Sequence, residues 1–279
     1  MTGGPACEAD CTMAGAGAVH SRTSSDTLSR PGTPLAAWCD HRLLGNLRKP
    51  MTDGQRAGIL AHAAILGDSE DVAVLPFDAF RSKDAKEARD AAIEEGKIPV
   101  TEKAWTEITE NTPQIRQSLE NSGVVFGGAV EQKLSWEEDG VLCTGVLDHW
   151  DGKVLVDEIK SGPAIPTREY CERHLVQSHS HLQDPAYRNA VASEIDCDPE
   201  EITVRFAFVQ TQAPFACYVQ PLSGAAREYA AIRWRRAVDI WRRCLSTGDW
   251  YGPSAEDMPF DVPVWALKRE MEMEAYDAD

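Results

Sequence analysis

Apolar positions along the chain change period near its middle. From Ser25 onward they recur at helical spacing in short runs, predicting helices over Leu35–Leu47 and Gln55–Leu66, with Asp53 as N-cap and Gly67 as stop for the second. A short extended element over Val72–Phe80 follows, then a charged helix from Ser82 to Glu95 that ends at Gly96. Thr101 opens the next helix, and that helix with its successor carries Ala104, Ile108, Ile115 and Leu119. From Glu131 the pattern becomes β-like, with strands expected at Leu134–Trp136, Val141–Asp148 and Lys153–Lys160. Gly162-Pro163 breaks the third strand, and a helical region runs to about Ser193. Ile202–Gln210 alternates as a further strand, Phe215–Pro221 is its antiparallel partner across a turn containing Pro214, and residues 223–246 form a long last helix before Gly248. Residues 1–24, rich in Gly, Ala, Ser and Thr, read as a disordered tail. The expected architecture is one α/β (α+β) domain: a mixed sheet containing a β-meander, flanked by helices.

The segment from Gly145 to Tyr187 carries the chemistry. Asp148, Glu158 and Lys160 form the spacing D-x9-E-x-K across the two strands around Asp151-Gly152, and Gln183 and Tyr187 follow at i,i+4. Alternate residues of a strand share a face, so Glu158 and Lys160 point together and Asp157 points away, suited to a structural hydrogen bond at a strand edge. A two-residue Asp151-Gly152 turn would pair Asp148 with Leu155 and turn Asp148 away from Glu158. Sharing one metal ion therefore demands an odd-length loop or a bulge, such as a three-residue loop with Gly152 left-handed. Two carboxylates and a lysine at one sheet edge suit metal-dependent phosphodiester hydrolysis, in which hard oxygen ligands hold Mg²⁺ and the ammonium sits beside the attacking water.

Composition bounds this reading. Apolar content is ordinary for a globular protein, no run spans a bilayer, and the N-terminus lacks a signal-peptide pattern, so a cytoplasmic location is expected. The eight cysteines include no C-x-x-C pair, which favours reduced thiols over an iron–sulfur cluster. His174, His179 and His181 lack a matched partner set for zinc. A net charge of −17 argues against a passive DNA coat, so any DNA contact would be local. Arg233, Arg236 and Arg243, near one face of the last helix, are the basic candidates; the alternative is a solvated face neutralising acidic surroundings.

These residues together resemble the PD-(D/E)xK nuclease superfamily, and within it the phage-type exonucleases related to exonuclease VIII and lambda exonuclease. Gly58-Ile-Leu-Ala-His62 looks like the upstream G-x-x-x-H helix of such nucleases, Val130-Glu131-Gln132 like their acidic segment before the core sheet, and Trp250-Tyr251-Gly252 with Pro263-Val264-Trp265 like their C-terminal close. The resemblance covers residues 25–268 and leaves 269–279 as an acidic tail. It implies a restriction-endonuclease-like core with Asp148, Glu158 and the Ile159 carbonyl as metal ligands. Glu131 would be a further acid and His62 a residue beside the metal. Lys160 and Gln183 would position water or substrate, and Tyr187 would touch DNA or support Lys160. It also implies a Mg²⁺-dependent (Mn²⁺ possible) exodeoxyribonuclease acting 5′→3′ from double-stranded DNA ends, with a single-strand annealing protein as partner in phage recombination and a ring-shaped homo-oligomer. Gln183-Asp184-Pro185-Ala186 departs from the small apolar residues usual there, so the helix should start or kink near Gln183. A PD-(D/E)xK endonuclease and a non-catalytic DNA-binding module share these residues and stay open.

Overall fold

The computed structural model describes residues 19–20, 34–41, 51 and 53–252, with 264, 268–269 and 271. In chain order the elements are β1 (Val19–His20), α1 (Pro34–Asp40), α2 (Asp53–Leu66), β2 (Val72–Leu75), α3 (Lys83–Glu94), β3 (Ile98–Thr101), α4 (Glu102–Glu110), α5 (Thr112–Asn121), β4 (Ala129–Glu138), β5 (Val141–Trp150), β6 (Leu155–Gly162), α6 (Arg168–Gln177), α7 (Gln183–Ile195), β7 (Thr203–Gln210), β8 (Cys217–Pro221) and α8 (Gly224–Thr247). Local chemistry sets the ends. Ser82, Thr101, Thr167 and Ser223 each accept a backbone N–H from the first turn of the following helix. Gly67 and Gly248 take positive φ after α2 and α8.

Six strands form one mixed sheet. β5 pairs antiparallel with β4 and β6, β6 pairs parallel with β7, and β7 antiparallel with β8. α7 and α8 cover one face through Tyr187, Ala190, Val191, Trp234, Val238 and Trp241, packed on Trp136, Val156, Phe206 and Phe208. α2 and α5 cover the other through Ile65, Leu66, Ile115 and Leu119 against Ile159, Ala207 and Val209. Alternation along β6 and β7 assigns the two cores, as expected for a sheet buried on both sides.

Three expectations change. The extended run at Val72 is short, and β2 pairs parallel with β3, a strand hidden in the sequence by its Pro99 and by the helix beginning at Glu102. Within the tail expected to be disordered, Val19–His20 pairs parallel with Cys143–Thr144 of β5. The rest of that tail, the end of the helix predicted to reach Leu47, and the Pro263–Trp265 close apart from Val264 lie outside the described residues. Asp157 is not at a sheet edge: β6 runs between β5 and β7, and the carboxylate is fully buried. Among the described residues no helix is long and apolar enough to cross a membrane.

The β5–β6 connection is odd, as parity requires. His149 pairs with Asp157, Trp150 with Val156, and the Asp151 amide donates to the Leu155 carbonyl, leaving Gly152-Lys153-Val154 as the loop. Gly152 has φ +77°, and the Asp151 carboxylate accepts from the amides of Lys153 and Leu155, closing the turn. The paired ladder ends at His149–Asp157, and the same register carried one step further sets Asp148 across from Glu158.

Gly128, at the entry to β4, is a point where only glycine fits. Its φ is +155°, and a Cβ there would lie 2.2 Å from the Trp150 carbonyl oxygen. We expect Gly128→Ala to destabilise the fold by about 2 kcal/mol or more, read as a lowered urea midpoint at unchanged slope.

Candidate active site

Five elements bring the predicted residues together. β5 and β6 pair over only two residues, while β6 pairs along its length with β7 and β5 with β4. The edge of β5 beyond His149 is thus not closed by β6. The Asp148 side chain bridges the opening, its Oδ2 accepting from the Ile159 amide at 2.7 Å. β4 pairs Val130 with His149 and Gln132 with Leu147, which places Glu131 opposite Asp148. Glu131 itself has φ +49°, uncommon for a residue with a side chain and a source of local strain.

α2 supplies the histidine. Ile65 and Leu66 anchor the helix on the sheet beside Ile159, and Arg116 donates to the Ile65 carbonyl at 3.0 Å. One turn earlier, His62 reaches both acids: Nδ1 lies 3.1 Å from Glu131 Oε1 and Nε2 lies 2.9 Å from Asp148 Oδ2. His62, Glu131 and Asp148 offer ligand atoms within 4.8 Å of one another.

Glu158 stands beside this trio in a second network. Its Oε1 accepts from Lys160 Nζ at 2.5 Å and from Gln183 Nε2 at 2.6 Å, and Lys160 also donates to Gln183 Oε1 at 2.9 Å. Its other oxygen, Oε2, is buried and without a hydrogen-bond partner among the described residues. A buried carboxylate oxygen left unpaired is costly, and a cation is one means of satisfying it.

α7 begins at Gln183, with Pro185 in the first turn, where its missing N–H costs nothing. The departure at Gln183–Ala186 therefore leaves Gln183 well aimed. Tyr187, expected on DNA or behind Lys160, has a different place. It is 2% exposed, its hydroxyl accepts from Gln183 Nε2 at 2.9 Å and donates to the Val146 carbonyl at 2.7 Å. It holds Gln183 against the open edge of β5 and offers no surface to DNA.

The charges are mutually arranged. Burial alone would push the Asp148 carboxyl up, but the His62 charge and hydrogen bond, then Lys160 and the Ile159 amide, bring it below the usual carboxylate range. Burial and the adjacent Asp148 charge hold Glu158 above that range, against the pull of Lys160. Burial would lower His62, yet Asp148 and Glu131 raise it to about 10.

The arginines do not converge on the carboxylates. Arg233 is half-buried over Tyr229 and lies 3.5 Å from His181, in the turn that precedes Gln183. Arg236 and Arg243 line an exposed groove with Ile232, Arg235, Asp239 and Tyr251, and Arg243 donates to the Tyr251 hydroxyl at 3.0 Å.

Sequence reasoning missed the group behind the site. Arg205 makes a two-pronged ion pair with Asp157, at 2.7 and 2.8 Å, and His149 Nδ1 lies 3.4 Å from the same carboxylate. A lone arginine inside the otherwise apolar run Val204–Val209 was the available signal.

Neither protein-family models nor the curated proteins yield a match to this chain. Solved structures do. An exonuclease candidate from Eubacterium rectale superposes with a TM-score of 0.59 over 96% of this chain and 98% of its own, at 10% sequence identity. A phage-related exonuclease from Haemophilus somnus 129PT matches with a TM-score of 0.33 over 83% and 96%, at 13% identity. The first likeness establishes a shared fold.

The donor set of carboxylate oxygens with one imidazole, beside an unpaired Glu158 oxygen, fits a divalent cation of the Mg²⁺ or Mn²⁺ kind. A cation held by Glu131 and Asp148 removes the negative charge that keeps the extra proton on His62. At pH 7 that proton is present in the metal-free protein, so binding Mn²⁺ should release it, and the apparent affinity should climb with pH until it levels near 10. Calorimetry in buffers of different ionisation enthalpy measures both effects, and His62→Ala should abolish this component of proton release.

Proposed function

We propose that this protein is a metal-dependent nuclease of the PD-(D/E)xK type that hydrolyses linear double-stranded DNA from its ends. The observation that carries the proposal is the meeting of Asp148, Glu158 and Lys160 where β5 and β6 part, with one Glu158 oxygen buried and unpaired. The likeness in fold to the E. rectale exonuclease candidate supports it.

In this reading Asp148 and Glu158, with Glu131, His62 and the Ile159 carbonyl, hold Mg²⁺ or Mn²⁺. Bound there, the cation supplies Lewis-acid polarisation of a phosphodiester and favours hydroxide at neutral pH. Lys160 Nζ lies against Glu158 Oε1, where it can offset charge developing on the scissile phosphate. Gln183, held by Lys160, Glu158 and Tyr187 at once, presents a fixed amide for orienting water or phosphate. Three carboxylates against one lysine and one histidine leave the site acidic until a cation enters, so a phosphate backbone is accepted only with the metal.

Digestion is proposed to run 5′→3′, leaving a 3′ strand for an annealing partner. The strongly negative chain meets DNA locally, through the cation and a basic strip at Arg233, Arg236 and Arg243. A ring of several copies would concentrate such strips around the duplex.

The decisive assay offers linear 5′-phosphorylated duplex and covalently closed circular DNA with Mg²⁺. We expect loss of the linear substrate alone, and a rate at least about 100-fold lower for Lys160→Ala. Cutting of the closed circle would replace the exonuclease by an endonuclease, and DNA binding without cleavage of either substrate would replace it by a binding module.

A further inference from the structure

We infer that Arg205, Asp157 and His149 are positioning residues that set the spacing of the metal ligands from the reverse side of the sheet. The inference rests on the metal-site reading above and adds residues which that reading does not use.

Asp157 alternates with Glu158 on β6 and therefore lies on the opposite face. It is fully buried, and Arg205, its partner in register on β7, clasps both of its oxygens, from Nε at 2.7 Å and from a terminal nitrogen at 2.8 Å. His149, directly across from Asp157 on β5, is 1% exposed with Nδ1 3.4 Å from the same carboxylate. The pair His149–Asp157 is the last registered between β5 and β6 before the strands part, and the next residues out are Asp148 and Glu158. The clasp thus sits one residue behind both ligands, at the point where their separation is decided.

The same arginine also bonds the segment that leads to the third ligand. Its terminal nitrogen also donates to the Gly123 carbonyl at 3.1 Å, in the segment that leads from α5 into β4. Further along, Phe126 meets His149 edge-on at 6.1 Å between ring centres, and Gly128 lies against the Trp150 carbonyl. Three residues later comes Glu131. One guanidinium therefore holds Asp157, next to Glu158, and the Gly123 carbonyl ahead of β4, while His149, next to Asp148, lies against the same carboxylate. A planar fork with several fixed donors can do this, whereas an ammonium cannot make the same three contacts in one plane. Burying a carboxylate fully against a partly exposed guanidinium is a poor source of net stability compared with apolar packing, so the arrangement is better explained by geometry than by stability.

The test is the affinity of the full-length protein for Mn²⁺ alone, by calorimetry, at a temperature below the unfolding transition of every variant. Arg205→Lys retains the charge but loses the fork and the Gly123 contact. The double variant Asp157→Leu with Arg205→Met removes both charges and so keeps a packed core. Arg188→Lys perturbs a different buried ion pair, Asp184–Arg188, as control. We expect Mn²⁺ affinity to fall about tenfold or more in the first two and to stay unchanged in the control, with cooperative unfolding in all three. Wild-type affinity in both Arg205 variants overturns the inference, as does an equal loss in Arg188→Lys. Absence of Mn²⁺ binding by the wild type overturns the metal-site reading itself, and the inference with it.

Discussion

Two carboxylates can share a cation only when their strands present them on one face at one spacing, and the short turn between β5 and β6 decides both. A loop of Gly152, Lys153 and Val154 puts His149 across from Asp157, and so Asp148 across from Glu158. One residue fewer would rotate every side chain of one strand to the other face. The strands then part after two pairs, and the opening is filled by side chains and the Ile159 amide. α2 delivers His62 from one side of the sheet, and α7 delivers Gln183 and Tyr187 from the other.

Electrostatics explains why this opening is tolerated. Asp148, Glu131 and Glu158 would repel one another in a site with little water. His62 bridges the first two, and Lys160 with Gln183 holds the third. The metal-free site is thus a compact alternation of charge, with acid in slight excess. That excess is a local form of the chain's overall charge of −17. A cation would offset that excess of acid. The strained backbone at Glu131 fits the same picture, since it aims a carboxylate that a regular ladder would place differently.

Much of this was legible in the chain. The D-x9-E-x-K spacing, strand parity and the need for an odd loop follow from period-two alternation, a local property. The helix start at Gln183 followed from Pro185, and the caps at Thr101 and Gly248 from the conformations those residues favour. The pairing of β2 with β3 and the parallel contact of Val19–His20 with β5 were not legible, because parallel pairing joins segments far apart and leaves no turn signal between them.

The sequence by itself determined which residue types could meet: two acids and a lysine in register on adjoining strands, with a glutamine at the start of the following helix. Only the tertiary structure decided how they are partnered. It placed His62 between Glu131 and Asp148, turned Tyr187 inward onto Val146, kept Arg236 and Arg243 on the outer face of α8, and buried Asp157 behind Glu158 in the grip of Arg205. Each of these contacts spans many residues of chain and depends on how helices dock on the sheet, which periodicity within one element does not encode.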